Sequence, residues 1–429
     1  MELSPDKILS NYSNGTLDKE TTIEKLIDLI ENSNFHNIRT EGVNVLGKIG
    51  IKSQNIFNLL ENLLISDSDE SVRIAAARII NRDYYENAFK PINWALIYEY
   101  SPELLKILYQ TIIKTLNFLV STNSRSMLEN GLKYVKNSEF KIGYETLYEQ
   151  KTIEKLEIQE LSDILINFYT LLFFKKKFWR IQYKISNSKI IELDFQFKGL
   201  KTVPEEIKNL KFLKKLSLRY NQITTIPDWI DSLTLLEELD LYSNSLTSLP
   251  SSIGKLRFLK FLSLNINKLE ELPNEICSLS HLEVLDLGLN QLKVIPESIG
   301  DLISLKKLNL FENYLTFLPA SLGELINLEY LNVSCNMIIS LPESLGNLSK
   351  LKVLNCEKNK LKSIPKFIKN LILLEYLNIS KNNLVEIPES VINLEFLKEF
   401  YFGGNNLTQI PQFIEKLGEK GIQVYPNYY

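Results

Sequence analysis

The chain has few of the side chains with which enzymes and metal sites are usually built. Its 429 residues include only 2 histidines and 3 cysteines, and none of them lies at the spacing of a metal-binding motif. It contains neither a G-x-x-x-x-G-K-[ST] phosphate loop nor a G-x-S-x-G nucleophile turn. We therefore predict no catalytic residues, no bound metal and no cofactor, and a protein that is not an enzyme.

An excess of positive charge and a long apolar run are also missing. The 49 basic and 52 acidic residues are interspersed and give a net charge of −3, so no basic surface for nucleic acid is expected. The longest apolar stretch, residues 164–174, is too short to span a bilayer, and the first residues lack a secretory signal pattern. The three cysteines form no disulfide-type cluster. We expect a cytoplasmic protein.

Asparagine and proline instead recur with a fixed period of 23 residues through the second half of the chain. A period of this length predicts stacked copies of one structural unit. The asparagines are Asn221, Asn244, Asn267, Asn290, Asn313, Asn336, Asn359, Asn382 and Asn405. The prolines run from Pro204 to Pro411 in the same step.

Each unit follows the pattern L-x-x-L-x-L-x-x-N-x-L-x-x-[LI]-P-x-x-[IL]-x-x-L, as in residues 235–258. The alternating leucines, such as Leu239 and Leu241, predict a short strand with one buried face. The asparagine carboxamide offers a donor and an acceptor for the backbone that turns away after the strand. The proline predicts the start of a short helical or 3₁₀ turn on the outer side.

These motifs resemble the leucine-rich repeat family, and are most similar to the intracellular 23-residue type of Ras-suppressor-like and scaffold proteins. The resemblance covers about residues 189–424. Lys198 replaces the asparagine in a degenerate first unit, and Cys356 replaces a strand leucine. The resemblance implies a solenoid with a parallel sheet on its concave face that holds a partner protein. Small GTPases and phosphatase subunits are familiar partners in the family.

A weaker repeat of 34 residues runs through the first part of the chain. Ile38 and Gly42 return as Val72 and Ala76, and Arg39 returns as Arg73, each within a helical pattern. This spacing resembles HEAT-type helical hairpins. The predicted fold class is an α/β leucine-rich repeat solenoid preceded by an all-α HEAT-like domain. We place HEAT-like repeats at 1–120, a helical and strand connector with the N-terminal cap at 121–189, and about ten leucine-rich units with a C-terminal cap at 190–429.

The non-leucine positions of the units predict the partner-binding surface. Since stacked units are in register, residues 23 apart form columns on the inner wall of the solenoid. Apolar and aromatic side chains concentrate in five consecutive units of these columns, a composition typical of protein interfaces. Strand propensity alone also favours such residues. The predicted contact residues are Arg219, Tyr220, Tyr242, Phe261, Ile266, Leu289, Phe311 and Tyr330.

Two other functions fit the sequence. One is an enzyme or specificity subunit with a site where the helical and leucine-rich parts join, since HEAT-like repeats occur in some lyases. The other is a membrane-associated adaptor that uses the basic and aromatic residues 173–180. Capping of the first repeat explains the same aromatic residues, so we expect neither a membrane nor a nucleic-acid partner.

Overall fold

The protein divides into a helical unit and a sheet-containing unit. A computed structural model describes residues 4–135 and 156–426. The helical unit comprises Met1–Ile181 with Ile185–Lys189, and the sheet unit comprises Gln182–Lys184 with Ile190–Tyr429.

Amphipathic helices follow one another through the helical unit, with capping residues that mark their starts. The Asp69 carboxylate accepts hydrogen bonds from the amides of the first turn of α5, and Ser101 caps α7 directly before Pro102. The helices are α1 Pro5–Ser13, α2 Lys19–Asn32, α3 His36–Ile49, α4 Gln54–Ser66, α5 Glu70–Ile79, α6 Phe89–Tyr98, α7 Pro102–Ser121, α8 Arg125–Val135 and α9 Ile158–Lys177. A π-helical turn, Ile80–Tyr84, extends α5.

Two arginines 34 residues apart make equivalent contacts in this unit. The Arg39 guanidinium donates to Ser33 O at 3.0 Å and makes two 2.9 Å bonds to Asp67. The Arg73 guanidinium donates to Asp67 O at 3.0 Å and to Glu99 at 3.0 Å. Positions 33 and 67 are also 34 apart, so the sequence period corresponds to a repeated backbone contact.

Helix α9 lies in the core of the helical unit. Phe173, Phe174 and Tyr169 are all at most 1 % exposed. The Tyr169 hydroxyl donates to Asn93 Oδ1 on α6 at 2.6 Å, which gives a buried polar group its partner. No helix within residues 4–135 or 156–426 combines the length and apolarity needed to cross a membrane.

The second unit contains a single sheet whose strands follow one another in chain order. All pairings from β2 to β12 are parallel, and strands β3 to β11 pair residues 23 apart, as the sequence period predicts. The strands are β1 Gln182–Ser186, β2 Lys189–Asp194, β3 Lys215–Ser217, β4 Glu238–Asp240, β5 Phe261–Ser263, β6 Val284–Asp286, β7 Lys307–Asn309, β8 Tyr330–Asn332, β9 Val353–Asn355, β10 Tyr376–Asn378, β11 Glu399–Tyr401 and β12 Gln423–Tyr425.

The recurring asparagines link each unit to the one before it. Asn290 Oδ1 accepts the Leu269 amide at 3.0 Å, and its Nδ2 donates to Leu264 O and Leu287 O at 2.9 and 3.1 Å. The same pattern of bonds recurs at the other asparagines, from Asn244 to Asn405. These side chains therefore satisfy backbone groups that the three-residue strands leave without partners.

Each recurring proline from Pro204 to Pro388 precedes a five-residue 3₁₀ helix on the side of the unit away from the sheet. An apolar residue of that helix, such as Ile299, packs with the strand leucines, and all of these are at most 2 % exposed. The 3₁₀ helices are Glu205–Asn209, Asp228–Ser232, Ser251–Lys255, Asn274–Ser278, Glu297–Asp301, Ala320–Glu324, Glu343–Asn347, Lys366–Asn370 and Glu389–Asn393. The last unit has an α-helix there, α10 Phe413–Glu419.

The strands are short, as the sequence pattern predicted. Each of β3 to β11 ends after three residues, and from β2 onwards the third residue beyond the strand adopts a left-handed backbone conformation with φ between 52° and 69°. The chain must turn sharply here for the following asparagine to reach the preceding unit. The residues in this position are Phe197, Tyr220, Ser243, Ile266, Leu289, Glu312, Cys335, Lys358, Lys381 and Gly404.

Candidate protein-binding surface

The eight predicted contact residues all lie outside the hydrophobic core. Phe261 and Tyr330 begin strands β5 and β8, and both are half-buried. Arg219, Tyr242 and Phe311 follow their strands by two residues and are half-buried as well. The other three, Tyr220, Ile266 and Leu289, occupy the left-handed position, where Ile266 is 37 % exposed. We call these eight residues and Phe197, described next, the aromatic surface.

An aromatic cluster lies at the N-terminal end of this surface. The Phe197 and Tyr220 rings stack with centroids 4.5 Å apart, and Tyr220 meets the Tyr242 ring edge-on at 5.2 Å. The Arg219 guanidinium lies 5.0 and 5.3 Å from the two tyrosine ring centroids. Aromatic rings and arginine in such arrangements attract one another, so the cluster is held in place before any partner arrives.

Phe197 was missed by the sequence analysis although its ring is 66 % exposed. The unit that contains it was treated as degenerate because Lys198 replaces the asparagine. Phe197 nevertheless lies 23 residues before Tyr220, in the same column, so the repeat period alone was a sufficient signal. The cluster therefore extends one unit further towards the N-terminus than predicted.

A polar row runs through the strands alongside the aromatic surface. The row consists of Asp194, Ser217, Asp240, Ser263 and Asp286, which face one another across strands β2 to β6. Burial raises the pKa of Asp240, and the charges of Asp194 and Asp286 raise it further, while the Tyr242 amide and Arg219 lower it. The row is thus acidic, and its central carboxylate, Asp240, is partly buried.

An open groove of about 550 Å³ lies over the N-terminal part of this row. Its lining combines carboxylates with the ring of Phe261. Two bases of the lining are paired with acids, Lys215 with Glu238 at 2.6 Å and Lys184 with Glu192 at 3.1 Å. The groove is therefore lined by both acidic and aromatic side chains.

Further along the sheet the surface is aromatic but less charged. Lys307 Nζ lies 5.0 Å from the centroid of the Tyr330 ring, and burial raises the pKa of the Tyr330 hydroxyl. At the C-terminal end, the Tyr401 ring contacts Tyr376 at 5.3 Å and stacks on Tyr425 at 4.2 Å. This second cluster was not among the predicted contact residues.

Candidate groups for chemistry are dispersed. No group of three His, Cys, Asp or Glu side chains within the described ranges could hold a metal ion. Cys277 and Cys356 are buried, and burial raises the pKa of Cys356 to about 12. Burial also raises the pKa of the half-buried Cys335. Thiols with raised pKa values are poor nucleophiles at neutral pH.

Most of the segment considered for membrane contact packs within the helical unit. Phe173 and Phe174 are buried in the core. Lys176 Nζ donates to the carbonyl oxygens of Ile97 and Glu99 at 2.7 and 2.6 Å, and burial lowers its pKa. Trp179, which is 76 % exposed, is the aromatic side chain of this segment most accessible to solvent.

Comparison with known protein families assigns the repeats. Models described as "leucine-rich repeat region" match residues 228–336 and 250–363, and "leucine rich repeat" models match residues 192–246 and 373–394. The sheet-containing unit is a leucine-rich repeat solenoid. Leucine-rich repeat domains generally mediate protein–protein interactions and typically have no catalytic activity.

Solved structures of leucine-rich repeat proteins resemble this solenoid. A leucine-rich repeat protein of Leptospira interrogans shares 38 % sequence identity at a TM-score of 0.51, over 54 % of this chain and 58 % of its own. The chain thus spans little more than half the length of that protein. A plant peptide hormone receptor, RGFR1 in complex with RGF2, shares 30 % identity over 53 % of this chain and 42 % of its own at a TM-score of 0.47. No curated protein matches the chain.

Proposed function

We propose that the chain is a non-catalytic scaffold that holds a partner protein against the aromatic surface of its leucine-rich repeat solenoid. The observation that carries the proposal is the clustering of partly exposed Tyr, Phe and Arg side chains on one in-register face. These residue types contribute most of the binding energy in protein interfaces.

The solenoid presents this surface in a fixed form. Because asparagine bonds and strand pairings join every unit to the next, the side chains are positioned before association. A rigid surface loses little conformational entropy on binding. A preformed surface of moderate area can therefore form a stable complex, because it does not have to fold around its partner.

We also propose a small GTPase or a phosphatase subunit as the first class of partner to test. The support is the resemblance of the 23-residue unit to Ras-suppressor-like repeats. Affinity capture in the presence of GDP and of a non-hydrolysable GTP analogue distinguishes the two, because a GTPase partner responds to the nucleotide. Capture that is independent of nucleotide favours the phosphatase subunit.

The scaffold proposal is tested by changing Tyr242, Phe311 and Tyr330 together to Ser. All three are only partly buried, so thermal stability should change by only a few degrees. Recovery of the partner by affinity purification from the native cells should be lost, since aromatic anchors dominate binding.

The matched control changes three exposed phenylalanines elsewhere on the solenoid to Ser. Phe258, Phe317 and Phe396 are 51 %, 47 % and 54 % exposed and lie outside the aromatic surface. Their substitution should leave the partner bound. If the first variant folds and recovers the same proteins as the unmodified chain, the aromatic surface is not the binding site.

A further inference from the structure

In the polar row beside the aromatic surface, aspartate and serine alternate from strand to strand, which the binding of an arbitrary partner does not require. From β2 to β6 the row reads Asp194, Ser217, Asp240, Ser263 and Asp286, and from β7 to β10 it contains only asparagine. Carboxylates thus occur on every second strand of the first half. At about 4.8 Å per strand, successive carboxylates are about 9.6 Å apart.

The positive charge of the chain itself does not neutralise the row. Arg219 approaches Asp240 at 3.6 Å. No lysine, arginine or histidine of the described residues forms an ion pair with Asp194 or Asp286. Asp194 accepts a backbone amide, and Asp286 accepts the neutral amides of Asn265, Asn309 and Gly288. Within the described ranges, two of the three carboxylates therefore have no cationic partner.

Buried polar groups between the carboxylates also lack hydrogen bonds. Among the described residues, the Ser217 hydroxyl in the row and Asn265 Oδ1, two residues beyond Ser263, are buried without a hydrogen-bond partner. The Ser263 side chain, only 4 % exposed, makes no hydrogen bond with any part of the chain that the structure describes. Buried polar groups in proteins are almost always paired, so these atoms are available to accept hydrogen bonds from a ligand.

The contacts of Arg219 indicate which kind of hydrogen-bond donor can bind to the carboxylates of the row. Its guanidinium lies near the Asp240 carboxylate and over the rings of Tyr220 and Tyr242. A planar cation with several N–H donors can pair with a carboxylate and stack on an aromatic ring at the same time. The carboxylates of Asp194 and Asp286 can pair with arginine side chains of a partner, although the positions around Asp286 that correspond to Tyr220 and Tyr242 hold Ile266 and Gly288.

We propose, as an extension of the scaffold function, that this row binds a basic segment of the partner in the polyproline II conformation, with arginine or lysine at every third residue. Such a helix has three residues per turn and rises about 3.1 Å per residue, so positions i, i+3 and i+6 lie on one face about 9.3 Å apart. This spacing matches the separation of the carboxylates. Alternate residues of an extended β-strand lie about 6.8 Å apart and do not match.

The test uses two labelled peptides of equal composition. In RPPRPPRPP the arginines recur at the proposed spacing, and in RRRPPPPPP they are consecutive. We expect fluorescence anisotropy to show at least about fivefold tighter binding of the first peptide. Binding should weaken as salt increases, because the ion pairs are partly exposed.

The matching variant changes Asp194, Asp240 and Asp286 to Asn, which keeps an acceptor oxygen at each position. The loss of the three carboxylate charges should raise the Kd of RPPRPPRPP about tenfold or more. The control, Asp228→Asn, removes an exposed carboxylate from the outer side of the solenoid and should leave the Kd unchanged. Circular dichroism establishes that both variants are folded.

The proposal is overturned if RPPRPPRPP does not bind, if it binds no tighter than RRRPPPPPP, or if the asparagine variant binds it as well as the unmodified chain does. Failure of the scaffold function would look different. A native partner that survives the aromatic substitutions rules out the aromatic surface. If the aromatic substitutions abolish binding of the partner but the asparagine variant still binds it, the scaffold function is supported and the basic segment is ruled out.

Discussion

The recurring asparagines allow the most direct test of what holds the solenoid together. We predict that Asn290→Ala lowers the free energy of unfolding of the repeat unit by about 3–5 kcal/mol. The side chain is 7 % exposed and bonds to one backbone amide and three backbone carbonyls within 3.1 Å. Each buried polar group left unpaired costs about 1–3 kcal/mol, and water entering the space recovers part of that cost.

Urea denaturation followed by circular dichroism measures this loss, and the melting temperature should fall by roughly 10 °C. Hydrogen exchange adds a local measure, because the Leu269 amide donates to Asn290 and should exchange faster in the variant. Asn290→Asp should be at least as damaging at neutral pH. It would place a carboxylate against carbonyl oxygens that now receive an N–H group.

Asn274→Ala is the matched control, since Asn274 is exposed at the start of a 3₁₀ helix. Its cost should stay within about 0.5 kcal/mol. If Asn274→Ala and Asn290→Ala unfold at the same urea concentration, the asparagine bonds contribute nothing to stability and the account of the repeat is wrong.

Three other outcomes are expected. Leu285→Asp should leave the solenoid unfolded in circular dichroism, because an unpaired charge would replace a side chain that is 0 % exposed. Two lysines hold the pKa of Glu237 to about 2; since this is below the unfolded value, the ion pairs stabilise the fold above about pH 4.5 and are lost as pH falls towards 2. Glu237→Gln should therefore flatten the acid side of the stability curve slightly, by under about 1 kcal/mol. A thiol reagent should modify Cys335 in the native protein but leave Cys356 unmodified until it unfolds, since Cys356 is 0 % exposed.

The repeat made much of the solenoid predictable from sequence. Each unit must bury its leucines, provide hydrogen-bond partners for its backbone and start its outer turn in the same way as its neighbours. The same sequence pattern therefore recurs about nine times. That redundancy predicted the parallel sheet, the role of the asparagines and the 3₁₀ helices after proline. The helical unit has a weaker repeat, and only contacts such as those of Arg39 and Arg73 show that the period is structural.

The left-handed residues were not predictable in the same way. Tyr220, Ile266 and Leu289 have φ between 53° and 56°, where glycine and asparagine are the usual residues. The intrinsic preference of Tyr, Ile and Leu would continue the strand, but the stacking of the units imposes the left-handed conformation instead. Phe197 was overlooked for a related reason, because backbone amides of its unit donate to Asn221 of the next one, and the unit keeps its geometry without an asparagine of its own.

This conformation bears on why the surface is aromatic and aliphatic. Strand propensity explains residues such as Phe261 within a strand, but it does not explain Tyr220, Ile266 and Leu289, which lie beyond the strands in a region unfavourable to bulky side chains. Gly404 occupies the same position in the last unit, so the fold accepts glycine there. A strained backbone that stability alone would relieve is typical of functional sites. The same backbone conformation also occurs at Ser243, Glu312 and Lys358, so it belongs to the repeat itself, and only the choice of Tyr, Ile and Leu at this position is what the proposed partner contact explains.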